Sequence, residues 1–195
     1  MLLMFGGLAV FLGLHSFQIA APVRSAVIGR VGRIAYQILY SLGSLAGLVM
    51  ISDGYVAWKY QQGSTILFVP PVWLTHVAVL LMAVSFVLVA ATYLPGYIKW
   101  FVRHPMILGV KLWAFAHLLA NGDAASVVLF GAFLIWGVAD RISVKRREAA
   151  GLIEPRAFKP NALFDAAAVT VGIGVYVLFV WRLHLWLIGV PPVAV

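Results

Sequence analysis

Six stretches of this chain, near residues 2–21, 34–52, 72–94, 105–121, 124–140 and 163–189, are so apolar that water cannot be their solvent. Each approaches the ~20 residues that carry an α-helix across ~30 Å of hydrocarbon. Inside a bilayer every backbone N–H and C=O must find its partner within the segment or a closed barrel. The expected fold is therefore all-α, an integral membrane bundle with about six transmembrane helices, forming a single unit over residues 1–195. With 64% hydrophobic and 10% charged residues, no soluble core could hide this much apolar surface. The first stretch lacks a basic leader and a polar cleavage region, so it is expected to be a retained span.

The breaks between stretches follow the same logic. Pro22, Pro70, Pro71, Pro95 and Pro191 fall near expected ends, and Pro105 suits a first helical turn. The connection Asn121-Gly122-Asp123 is short enough to make the fourth and fifth spans an antiparallel hairpin, with Asn121 or Asp123 able to cap the fifth. Gly43 and Gly47 form a small-xxx-small pattern for close helix approach. The polar stretch from Arg141 to Asn161 reads as a loop. Arg24, Arg30, Arg33, Lys99, Arg103, Arg141, Lys145, Arg146, Arg147, Arg156 and Lys159, 11 of the 14 basic residues, fall on one set of loops, and only Lys59 falls on the other. The basic loops are expected in the cytoplasm and both termini outside. The net charge of +8 is thus a topology signal and an attraction to anionic membrane lipid. No base-reading module is present, so nucleic acid is not an expected partner.

Ionisable residues within such spans are functional candidates by default. Four of the five histidines, His15, His76, His117 and His184, lie inside the apolar stretches, and His104 lies at the mouth of another. Each also has a plainer reading. His117 suits an interhelical hydrogen bond, His104 a helix cap, His15 a packed hydrogen-bonded residue beside Ser16 and Gln18, and His76 an interfacial position after Trp73 and Thr75. Lys111 lies about 10 Å along its helix from His104. There it needs an anion, such as a cofactor carboxylate, or must snorkel to the cytoplasmic face. Arg182 is expected to snorkel outward. Trp58, Trp73, Trp100 and Trp186 read as interfacial anchors, Trp113 and Trp136 as deeper core or pocket residues. The chain has no cysteine, which excludes iron–sulfur clusters, thiolate ligands and the covalent attachment of c-type haem.

The combination of Leu14-His15-Ser16, Arg103-His104-Pro105-Met106-x-x-Gly109, Ala116-His117-Leu118, Asn121-Gly122-Asp123 and Asp140-Arg141 resembles the NnrU family of bacterial membrane proteins over nearly the whole chain. That resemblance implies a multi-pass protein of the bacterial inner membrane, associated with denitrification and nitric oxide metabolism. The family is similar to 15-cis-ζ-carotene isomerase, a membrane enzyme that uses haem b to isomerise a carbon–carbon double bond. This implies non-covalent haem b (iron) with His15 and His117 as axial ligands and His76 and His104 as further pocket residues. Arg103, Lys111 or Arg24 would meet the propionates. A second geometry stays open, because His76, His117 and His184 share one depth near the outer face, whereas His15 and His117 differ by more than 10 Å in depth. Two activities compete: a haem protein for nitric oxide, and a cis-trans isomerase of a carotenoid or other polyene. The Arg103-His104-Pro105 segment also resembles that of S-adenosylmethionine-dependent membrane methyltransferases of the isoprenylcysteine carboxyl methyltransferase type. Here the region after the next helix, Arg141 to Glu148, is basic and lacks that family's paired glutamates.

Overall fold

The computed structural model describes residues 1–17, 19–153, 157–190 and 192. Among these, nine α-helices form and no strand. They are α1 Leu2–Ser16, α2 Ala21–Val31, α3 Arg33–Val56, α4 Val72–Ala91, α5 Tyr97–Val102, α6 Pro105–Ala120, α7 Ala124–Ala149, α8 Ala162–Leu178 and α9 His184–Ile188. A π-helical turn at Ala57–Gln61 prolongs α3, and another at Phe179–Leu183 carries α8 into α9. Four continuous segments are long and apolar enough to cross a membrane: Arg33–Gln61, Val72–Ala91, Ala124–Ala149 and Ala162–Ile188. The other two apolar helices, α1 and α6, have 15 and 16 residues.

Three expected boundaries are corrected. The first stretch does not run helical to residue 21. α1 ends at Ser16, and Pro22 opens a separate basic helix, α2, which carries Arg24 and Arg30. Proline lacks the N–H that a continuing helix would use but suits a first turn. The second stretch does not stop at residue 52, because the π turn extends it to Gln61. The segment after Asp140 is not all loop, since α7 continues to Ala149. Gln18, Glu154, Arg156 and Pro191 lie outside the described residues.

Local chemistry fixes several helix ends as expected. Pro105 sits in the first turn of α6. Asp123 caps α7 by accepting from Ser126 N at 3.0 Å, and Asn161 caps α8 by accepting from Leu163 N at 2.9 Å. The six-residue α5 is capped from another helix, with the Asp165 carboxylate accepting from Tyr97 N and Ile98 N, each at 2.8 Å.

Packing follows small residues. The Gly43/Gly47 pattern does lie in a helix seam: Gly47 faces the backbone of Phe11 and Gly43 faces Leu14. The seam runs further than the pattern, to Gly7 against Ile51 and Gly54 against Met4, so α1 and α3 run antiparallel in near backbone contact. α1 also packs on α7, α7 on α6, α6 on α4, and α4 on α8. The core between them is Met4, Leu8, Ile51, Tyr55, Ala114, Ala125, Leu129, Phe130 and Phe133. Side chains such as Ile34, Leu42, Leu80, Ile135 and Trp186 point outward, as a bilayer solvent requires.

Candidate functional site

Three of the five histidines share a local device. His15 Nδ1 lies 2.7 Å from Phe11 O, His117 Nδ1 lies 2.8 Å from Trp113 O, and His184 Nδ1 lies 2.7 Å from Val190 O. A carbonyl accepts only, so in each pair Nδ1–H donates and the proton is fixed on Nδ1. In the neutral ring Nε2 is then the nitrogen with the lone pair, the form in which imidazole binds a metal. In His15 and His117 the acceptor is one helical turn back, so the helix supplies it without a second element.

Aromatic rings separate His15 from His117. His15 stacks on Phe11 at 4.1 Å, Phe11 meets Phe133 at 5.6 Å, Phe133 meets Trp113 at 5.2 Å, and Trp113 meets His117 at 5.2 Å. On α7, His15 stands beside Trp136 and His117 stacks on Phe130, a difference of about 9 Å in depth at the helical rise. The structure does not bring these two imidazoles face to face.

The other histidines arrange differently. Ser85 Oγ donates to Gly109 O at 2.8 Å, which sets the register of α4 with α6. Gly172 lies against Val87, which sets the register of α4 with α8. Carried outward at the helical rise, these registers bring His117 and His184 to within about one turn of the level of His76. His184 is also within electrostatic reach of His117. His76 is exposed and makes no hydrogen bond with a described residue.

Beside His117 lies a polar cluster that sequence reasoning missed. Lys59 Nζ, at the π turn after α3, donates to Asn121 Oδ1 at 2.8 Å, Tyr55 OH at 2.9 Å and Ser126 Oγ at 3.1 Å, and it pairs with Asp123 Oδ2 at 2.9 Å. Ser126 Oγ donates to the same Asp123 oxygen at 2.7 Å. The Lys59 and Asp123 side chains are 16% and 12% exposed. Asn121 Nδ2 donates to His117 O at 3.0 Å, tying the cluster to the histidine's turn. The loop between α3 and α4 is clipped onto the same corner: Leu67 N donates to Gly122 O at 2.8 Å, and Ala124 N to Thr65 O at 2.8 Å. Gly122 admits the backbone of Phe68 where any Cβ would collide. Asn121-Gly122-Asp123 is thus a structural corner, as its shortness and capping residues suggest, but the arrival of Lys59 there has no sequence hint beyond its four-residue spacing from Tyr55.

Asp123 lies between helices. Burial by itself would raise its carboxyl, but hydrogen bonds from Lys59, the Ser126 hydroxyl and the Ser126 N–H prevail and hold it below its ordinary value.

At the opposite end, His15 meets Tyr40 at 5.3 Å and Trp136 at 6.0 Å. One turn beyond Trp136, Asp140 is 7% exposed, with Arg147, His104 and His15 in electrostatic reach. Trp136 Nε1, Asp140 Oδ1, Arg24 Nε and Arg147 Nε are buried without a hydrogen-bond partner. Arg24 stands over the Tyr36 ring at 5.8 Å. His104 caps no backbone group with its side chain; its Nε2 pairs with Glu148 Oε1 at 2.9 Å, and Arg141 pairs with the same carboxylate at 3.5 Å. Arg103 is exposed and takes a left-handed turn, φ 68°, between α5 and α6. Lys111 lays its stem against Gly137 of α7. No group of three or more His, Asp or Glu residues is placed to hold a metal ion among the described residues.

Antiparallel apolar helices, outward-facing hydrophobic side chains and lone-pair imidazoles between helices define a helical integral membrane protein with intramembrane histidines. A family model described as NnrU protein matches residues 3–192, so the chain belongs to the NnrU family. No curated protein and no solved structure matches it.

Proposed function

We propose that this NnrU-family protein binds haem b non-covalently through His117 and acts in nitric oxide metabolism linked to denitrification, at the bacterial inner membrane. The observation that carries the proposal is the fixed tautomer of His117, an imidazole between helices with Nε2 free and Nδ1 tied to Trp113 O. Haem held this way would supply reversible binding of nitric oxide or electron transfer. The chain's own residues do the rest. Trp113 and Phe130 hold the imidazole plane, Asn121 anchors its turn, and the surrounding apolar side chains keep water away.

Two residues would compete to hold the group together with His117. His15 offers the same lone pair, with Arg24 toward a propionate, but as packed it does not bracket one iron with His117, because Phe11, Phe133 and Trp113 stand between them. His184 lies level with His117 and within its electrostatic reach, so the geometry favours His184, with His76 nearby in depth. Polyene isomerisation is the second reading. It is favoured by the approach to His184 past the exposed apolar Leu178, Trp181 and Leu185, which a lipophilic ligand reaches directly from the bilayer. The methyltransferase reading draws no support from Arg103-His104-Pro105, since His104 is committed to Glu148.

The test is an absorption spectrum of gently purified protein and of three variants. His117→Ala should abolish the Soret band, and His184→Ala should convert a six-coordinate spectrum to a five-coordinate one while His15→Ala leaves it unchanged. A Soret band indifferent to His117→Ala would overturn haem ligation here, and the opposite behaviour of His15 and His184 would return the axial pair to His15 and His117. Reduced protein that converts a cis-polyene and forms no nitric oxide adduct would reverse the two activities.

A further inference from the structure

α7 does not end where its apolar part ends, and the part that protrudes shapes a cleft. The cleft is lined by Ile19, just after α1, and by Ala139, Ile142, Ser143, Arg146 and Arg147 of α7, and it reaches Leu152 beyond the helix. The α7 residues recur at three- and four-residue steps, so they form one stripe along the helix. Read outward from the bundle, the stripe changes character in order. Ala139 and Ile142, with Ile19 opposite, are apolar; Ser143 brings a hydroxyl; Arg146 and Arg147, one turn further, bring two guanidinium groups.

That sequence of surfaces has the polarity of a phospholipid set along the membrane normal. Acyl chain meets Ile19 and Ile142, the glycerol ester level meets Ser143, and phosphate meets the arginines. Among the described residues, the acids near this stretch are ion-paired, Glu148 with His104 and Arg141, and Asp140 with Arg147 at 3.9 Å. Arg147 Nε is buried with no hydrogen-bond acceptor, a donor lacking the acceptor that an anion would supply. Arg146 is exposed and pairs with no described acid. On this basis we propose that the cleft between Ile19 and α7 is a binding site for an anionic phospholipid of the cytoplasmic leaflet, with Arg146 and Arg147 on its phosphate. The site is separate from the histidines and does not depend on haem.

Thermal unfolding of the full chain in detergent tests this, since a ligand that binds only the folded state raises the melting temperature. Phosphatidylglycerol should raise it in a saturable way, whereas phosphatidylcholine and inorganic phosphate should not. Arg146→Gln should weaken the apparent phosphatidylglycerol affinity about fivefold, as expected for one cation at a lipid surface. Lys145→Gln, an exposed cation beside the stripe but outside the cleft, should leave the affinity unchanged. Equal shifts from phosphatidylglycerol and phosphatidylcholine, or equal losses in the two variants, would overturn the site as nonspecific. A shift reproduced by inorganic phosphate alone would overturn the lipid and leave a soluble-anion site.

Discussion

At the scale of single residues, the strongest commitment is an ion pair at the end of the bundle that carries the α6–α7 turn. Lys59 is held by Asp123, Asn121, Tyr55 and Ser126, so removing either charge strands the other in a site with little water. Lys59→Met should therefore cost about 3 kcal/mol of stability, toward the lower end for breaking a buried pair. Asp123 also gives a pH dependence whose sign follows from its lowered folded-state value. A carboxyl that is more acidic when folded contributes stability above its unfolded value, about 4, and loses that contribution as pH falls through the folded value. The melting temperature should be level from pH 8 to 5 on this account and fall below about 4, and Asp123→Asn should flatten that fall. A fall of equal size in the variant would assign the acid sensitivity elsewhere. Sequence reasoning found the capping role of Asp123, because a cap depends on a residue three positions away. It missed Lys59, because that partner is brought from across the bundle by the packing of α3 against α7, which no local pattern encodes.

At the scale of helices, the α1–α3 seam makes opposite forecasts for glycines that look alike in sequence. A Cβ on Gly54 would fall on the backbone of Met4, which cannot give way as a flexible side chain can. Gly54→Leu should separate the two helices and cost about 2–4 kcal/mol, measured by unfolding in mixed detergent. Gly13 has nothing within 4 Å of such a Cβ, so Gly13→Ala should be neutral or stabilise by about 0.5–1 kcal/mol through helix propensity. Comparable damage from both would show that the seam is not the reason for these glycines. The Gly43/Gly47 part of the seam was legible because both partners lie in one helix at one spacing. Gly7 and Gly54 were not, since each gains meaning only once the antiparallel register is known. The two π turns were likewise invisible: Lys59 and Gln61 in the first and Arg182 in the second read only as polar residues near span ends, and neither stretch carries a local signal for a π turn.

At the scale of the whole molecule, the all-α membrane bundle was legible from hydropathy alone, while the lengths of its helices were not. The basic loops predict sidedness: with no native cysteine, single cysteines at Gln61 and Arg146 should be labelled from opposite sides of sealed vesicles. Labelling of both from one side would reject the topology. The shortness of α1 and α6 then bears on the bilayer itself. At 15 and 16 residues they measure about 23 and 24 Å, several ångströms less than a typical hydrocarbon layer, while the 20 residues of α4 measure about 30 Å. Lipid beside α1 and α6 must compress to meet them, and lipid beside α4 need not. The protein would then impose a lopsided dimple on its surroundings and favour thin membranes. Reconstituted in bilayers of increasing acyl length, it should lose thermal stability steadily, and the loss should shrink when α1 is lengthened by a turn of leucines after Met1.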